Sequence, residues 1–141
     1  MKKMENVVNI FKACVAAIGT GLTWVFGAWD VALAVLIAFM ALDYTSGLLK
    51  AYINKEVSSD IGLKGLTRKF LILLVLIAAV LLDRLINTGD WVFRTIVCYF
   101  YVANEGISLL ENAAALGLPV PDAIKNALAQ LKEGGKKEIK E

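Results

Sequence analysis

Apolar residues in this chain come in runs rather than in the alternation of a strand, and the runs are about as long as a bilayer is thick. Residues 7–28 are apolar apart from Asn9, Lys12 and a few threonines. Residues 31–49 are apolar around one polar break, Asp43-Tyr44-Thr45-Ser46-Gly47. Phe70 to Leu82 is unbroken, Leu85 and Ile86 extend it, and 91–112 ends the series. Since about 20 residues of α-helix cross a hydrocarbon core, the pattern predicts an all-α polytopic membrane protein. Four transmembrane helices are expected at about 7–28, 31–49, 70–86 and 91–112. The breaks at Trp29-Asp30 and Asn87-Thr88-Gly89-Asp90 are short enough to make two helical hairpins. The third run has the fewest polar residues, which makes it the best candidate for the lipid-facing helix.

The fourth run differs from the others. Arg94, Cys98, Tyr101, Glu105, Ser108 and Asn112 recur at alternating spacings of four and three, so they form one seam on a helix. Ionisable groups in hydrocarbon cost several kcal/mol by most estimates, so this seam wants a neighbouring helix or water beside it. In the first run Ala13, Ala17 and Gly21, with Ala16 and Thr20, place small residues where another helix can approach closely.

Between the runs, residues 50–69 are polar and form a connection. Ser58-Ser59-Asp60 can cap a short helix there, with Ile61, Leu63 and Leu66 turned toward the headgroups; a solvated loop is the other reading. Leu118-Pro119-Val120-Pro121 ends the fourth helix. Residues 122–132 then place Ile124, Leu128 and Leu131 on one face of a short amphipathic helix, closed by Gly134-Gly135 before a charged, disordered tail at 136–141. Residues 1–112 thus read as the transmembrane domain and 113–141 as a cytoplasmic helix and tail.

Composition agrees: 58% of the 141 residues are hydrophobic, and the net charge is only +2. The lysines and arginines collect at the N-terminus, in 50–69 and in the tail, which the positive-inside rule assigns to the cytoplasm together with both termini. Trp24, Trp29 and Trp91 fall toward the outer side, where interfacial tryptophans are favoured. Met1-Lys2-Lys3 before an apolar stretch imitates a secretory signal, but Lys12 interrupts it and no small-x-small cleavage site follows, so the segment is expected to be retained.

With that topology, positions become depths. At 1.5 Å per residue Asp43 lies roughly 20 Å, Glu105 roughly 21 Å and Lys12 roughly 24 Å below the outer ends of their helices. The two carboxyls share a level that the stem of Lys12 can reach. Three readings stay open: a buried polar cluster of Lys12 with one acid and the other acid protonated; a hydrated surface between protomers lined by Asp43, Glu105, Ser46, Ser108 and Tyr101, beside Gly47; or a proton or ion relay. Arg94, near the outer surface, has Asp90 one turn earlier and is expected to pair with it. Cys98 and Cys14 come out roughly 10 Å and 21 Å deep, too far apart to bond within one molecule. Cys98, on the seam, is a candidate for crosslinking between protomers.

The chain has no histidine, no phosphate-binding glycine loop and no nucleophile elbow, which argues against an enzyme, a cofactor or a metal centre. Its basic residues follow membrane topology rather than one soluble face, which argues against nucleic acid.

Several stretches form a pattern: Gly27 to Asp30, Phe39 to Gly47, Gly62 to Lys69, Arg94 to Asn112 and Gly117 to Pro121. In this order, over nearly the whole chain, they resemble the toxin-secretion and phage-lysis holin family found with phages of Gram-positive bacteria. The resemblance implies a small protein that accumulates in the host cytoplasmic membrane, forms homo-oligomers and permeabilises the membrane at a set time. A separate endolysin then reaches the peptidoglycan. Some relatives are tied to toxin release instead. The resemblance supplies no catalytic residue. Initiation at Met4 would remove two lysines, and paired starts occur in other holin families. A small membrane channel or transporter with Asp43 and Glu105 at a selective site is the alternative, and a membrane adaptor docking a partner through 122–132 is a third.

Overall fold

The computed structural model describes residues 1–87 and 89–137. Among these the chain is helical and without strands: α1 (Lys2–Phe26), α2 (Val31–Ile53), α3 (Ser59–Ile86), α4 (Val92–Ala115) and α5 (Asp122–Lys137). By length and composition α1 and α2 are apolar enough to cross a membrane. Thr88, and the expected tail from residue 138 onward, lie outside the described residues.

Gly27 closes α1 at φ +85°, and Asp30 opens α2 by accepting the amide of Leu33 at 3.0 Å. The polar break at 43–47 does not interrupt α2. Its hydroxyls are satisfied locally, Thr45 donating to the Ala41 carbonyl at 2.8 Å and Ser46 to the Asp43 carbonyl at 2.9 Å. Ser58 does act as a cap, accepting from the Ile61 amide at 3.3 Å, but it caps a helix of 28 residues rather than a short one. The expected 50–69 connection therefore shrinks to the residues between α2 and α3. Gly62 and Gly65 weaken the start of α3 by only about 1 kcal/mol each, and the apolar run downstream carries the helix through.

α4 begins without a cap of its own: Trp91 is left-handed at φ 53° and its side chain caps nothing. Asp83 of α3 substitutes, one carboxylate oxygen accepting from the Phe93 amide at 3.0 Å and the other from the Arg94 amide at 2.8 Å. Two of the first free N–H groups of α4 are thus satisfied from the neighbouring helix.

The core lies between α2, α3 and α4. Leu33, Leu36 and Met40 meet Ile72 and Leu76 and, from α4, Cys98 and Val102. On each helix these core positions step by threes and fours, as in a bundle seam. α5 retraces α4 in the antiparallel sense, Leu128 lying against Gly106 and Lys132 over the Phe100 ring, with Leu131 packed on the core.

α1 stands apart. It buries no residue among those described, whereas α3 buries Lys69, Ile72, Leu76, Ala79, Val80 and Asp83. The most exposed helix is therefore the first, not the third. A run of leucines and valines contains no sign of which side faces inward; the charged residues at its ends supplied that. Ala13, Ala16, Ala17, Thr20 and Gly21 on the small-residue side of α1 are exposed, and a Cβ added at Gly19 or Gly21 would find open space.

Candidate functional site

Two clusters of charge hold the bundle, one at the end where the α1–α2 and α3–α4 turns lie and one in the opposite half. At the turn end Arg94 is 1% exposed, although it lies only three residues from the start of its helix. Its guanidinium makes a two-pronged pair with Asp30, Nη1 to Oδ2 at 2.8 Å and Nη2 to Oδ1 at 3.0 Å. Nε donates to the Phe26 carbonyl at 2.6 Å and Nη2 also to that of Ala28 at 2.8 Å. One planar fork thus collects the end of α1, the turn and the start of α2. Its partner is Asp30, not the expected Asp90, because the α1–α2 turn brings a carboxylate and two free carbonyls together where Asp90 could offer only one. The Arg94 bond holds the Asp30 carboxyl below its ordinary 3.8 despite partial burial.

Gly27 is required in this clamp. Besides its positive φ, an added Cβ would lie 3.1 Å from Arg94 Cδ and 3.3 Å from the Trp91 ring. Beside it, Arg84 donates to the Trp24 carbonyl and stacks over the Trp24 ring at 4.6 Å and the Trp91 ring at 5.5 Å. The tryptophans read as interfacial anchors also hold a cation.

In the opposite half, Lys69 of α3 donates to both Asp43 of α2 and Glu105 of α4. One ammonium joins three helices. Asn112 donates to Asp43 Oδ1 at 3.3 Å and to Ser46 Oγ at 3.0 Å. Glu105 is fully buried, and its Oε1 has no hydrogen-bond partner among the described residues. A cleft of about 190 Å³ opens over the triad, lined by Asp43, Tyr44, Gly47, Arg68, Ser108 and Asn112 among others.

The structure therefore brings together Asp43, Ser46, Gly47, Glu105, Ser108 and Asn112, and gives Arg94 a separate place. Tyr101 packs on the core, edge-on to Phe100 at 5.2 Å. Cys98 is fully buried in the core, so it cannot reach a cysteine of another protomer; Cys14 is the exposed thiol. Lys12 is exposed on α1 and lines a groove with Met1, Met4, Glu5, Val8 and Asn9, away from both acids. Equal depth was not enough, because α1 is held near its last turn, by Arg84 of α3 and Arg94 of α4, while Lys12 near its start is exposed.

Sequence reasoning missed Lys69, Asp83 and Arg84. The signal for the first two was present: Lys69, Ile72, Leu76, Val80 and Asp83 continue one seam at spacings of three and four. Starting the third span at Phe70 cut Lys69 off from it. The arrangement offers ion pairing between helices rather than chemistry. No cluster of three or more His, Cys, Asp or Glu among the described residues could hold a metal.

An all-helical membrane protein, with charges collected between its helices and no catalytic set, is the class that fold and site define. The chain belongs to the bacteriophage holin family, whose profile matches residues 20–133. That family is membrane-permeabilising and non-enzymatic. The chain is 54% identical over 128 residues to an uncharacterized 14.9 kDa protein in the nagH 3′ region of Clostridium perfringens, covering 91% of this chain and 97% of that one. It is 41% identical over 126 residues to an uncharacterized protein of Clostridium acetobutylicum, covering 89% and 98%. Over 97 residues it is 35% identical to a probable holin of Bacillus phage phi105, covering 68% of this chain and 70% of that one. No solved structure matches the chain.

Proposed function

We propose that this protein is a phage holin that oligomerises in the host cytoplasmic membrane and permeabilises it, so that an endolysin reaches the peptidoglycan and the cell lyses at a set time. The observation that carries the reading is the family match over residues 20–133, on a bundle whose buried charges are paired internally. Such a bundle presents leucine, isoleucine, valine and phenylalanine outward, along α1 and α3 above all. That exterior suits lipid and neighbouring copies rather than water.

In this reading α1 to α4 all span the bilayer. Both termini and residues 113–141 lie on the cytoplasmic side, and the turns at 27–30 and 87–90 lie outside. The Asp43–Lys69–Glu105 triad sits in the inner half and the Arg94 clamp at the outer interface. The test is induced expression in a bacterium while a potential-sensitive dye is followed. An abrupt collapse of membrane potential is expected, with death but no visible lysis unless an endolysin is present. Cells that stay polarised at full expression contradict the reading. Graded, ion-selective conductance without loss of viability favours a channel instead.

A further inference from the structure

α5 is docked where a bilayer would reject it. It follows α4 back from Ala115 as far as Phe100, fifteen residues or roughly 22 Å of helix, alongside a helix that in the four-span reading crosses a hydrocarbon core of about 30 Å. Leu128 and Phe39 of α2 both close on Gly106, where an added Cβ would lie 2.9 Å from Leu128 Cδ1 and from the Phe39 ring. Leu131 packs on the core and Lys132 caps the Phe100 ring at 5.5 Å. The rest of the helix through Glu133 is exposed. Asp122, Asn126, Gln130 and Glu133 fall within a sector of roughly 80° opposite Leu128. Lipid on that flank would face the Glu133 carboxylate and two amides within the span, with Asp122, paired to Lys125 at 3.5 Å, at its Ala115 end, and two half-buried leucines do not offset such a cost. Water on that flank removes the conflict.

We propose that docked α5 lines the aqueous lesion: its apolar face is held against α4 and the core, and its face of Asp122, Asn126, Gln130 and Glu133 borders water. In the intact bilayer the same helix lies undocked at the membrane surface beyond Ala115. The linker permits both positions, since Gly117 has φ +84° and Pro119 and Pro121 keep residues 118–121 out of helix. This inference rests on the permeabilising function proposed above.

The test uses the full chain with Cys14→Ser in dye-loaded vesicles of phosphatidylglycerol and phosphatidylethanolamine. Phe39→Cys with Leu128→Cys reports docking by disulfide formation. Crosslinking is expected to be minor in tight vesicles and to rise about tenfold with leakage, as a sparsely populated state becomes the dominant one. Asn126→Leu with Gln130→Leu changes only the outward face. It is expected to accumulate normally, to dock, and to lose most dye release. Full crosslinking in tight vesicles, or undiminished release from the outward-face variant, overturns the lining while the permeabilising function stands. A parent chain that releases no dye overturns that function and the lining with it.

Discussion

Replacing Lys69 with methionine keeps most of the side-chain volume and removes the charge that joins three helices. Two carboxylates at one level are then left without their ammonium. They do not suffer equally. Asp43, 8% exposed, keeps its bond from Asn112, whereas Glu105, 0% exposed, loses its hydrogen-bonding cation and already has one unpartnered oxygen. Removing one member of a buried ion pair costs about 3–5 kcal/mol, mostly the penalty of the charge left behind. Most of that penalty should fall on Glu105. Adding Glu105→Gln to Lys69→Met is therefore expected to recover more than half of the loss, and adding Asp43→Asn to recover less. With all three groups neutral, stability should return to within about 1–2 kcal/mol of the parent, since buried ion pairs often contribute little against neutral packing. The assay is reversible unfolding of the purified protein in mixed micelles, followed by the tryptophans near the turn end, with membrane accumulation measured in parallel. A Lys69→Met loss below about 1 kcal/mol, or a Lys69→Met/Glu105→Gln variant no more stable than Lys69→Met, refutes the assignment of the triad as the joint between α2, α3 and α4.

Arg94→Lys keeps the charge but cannot serve a two-pronged carboxylate and two carbonyls at once, so it should destabilise by about 2–4 kcal/mol in the same assay, with Arg94→Ala worse. Because its partner holds Asp30 below 3.8, the stability from that pair is present above this value and is lost only as pH falls through the lowered one. The thermal midpoint should therefore show an acid-side fall below about pH 4 that Asp30→Asn removes. Gly27→Ala strains a positive φ and crowds Arg94, for a loss of about 1–3 kcal/mol in the same unfolding titration. In the folded protein a maleimide should spare Cys98, and unfolding should release that thiol; reaction of Cys98 before unfolding would contradict its buried place.

How much of this was legible in the sequence varies with how local the cause is. The helices were legible because hydrophobic run length and the Pro119 and Pro121 stops are local, and the seam from Arg94 to Asn112 was legible because helical spacing is local too. That Asp43 and Glu105 lie close enough to share a partner also followed from counting residues along paired helices. The identity of that partner did not. Lys12 and Lys69 were both reachable by length, and the choice depended on where α1 is held to the bundle, which is a matter of tertiary packing. Arg94 shows the same limit: the local rule offers Asp90 one turn away, while the structure supplies Asp30 across a turn whose carbonyls also need donors. The start of the third helix differs for another reason. Lys69 was counted as loop because it is charged, when its charge is why the helix must pass it into the bundle.

The two charge clusters divide the chain into parts that can move and parts that cannot. α2, α3 and α4 are joined by the Lys69 triad in one half and by Asp83 and Arg94 at the other end, so separating any two of them breaks a buried charged contact. α1 is hydrogen-bonded to the bundle at its last turn, through Trp24 and Phe26, and α5 rests against α4 and the core through Leu128, Leu131 and Lys132 among others, with no ion pair to another helix among the described residues. Any rearrangement that accompanies assembly should therefore run through α1 and α5 while the three-helix core stays whole. Truncation after Leu118 tests this, because it removes two half-buried leucines, worth about 2–4 kcal/mol together after discounting for partial exposure. The truncated chain should stay folded, with Cys98 still unreactive. If Cys98 becomes reactive on truncation, α5 belongs to the core and the division is wrong.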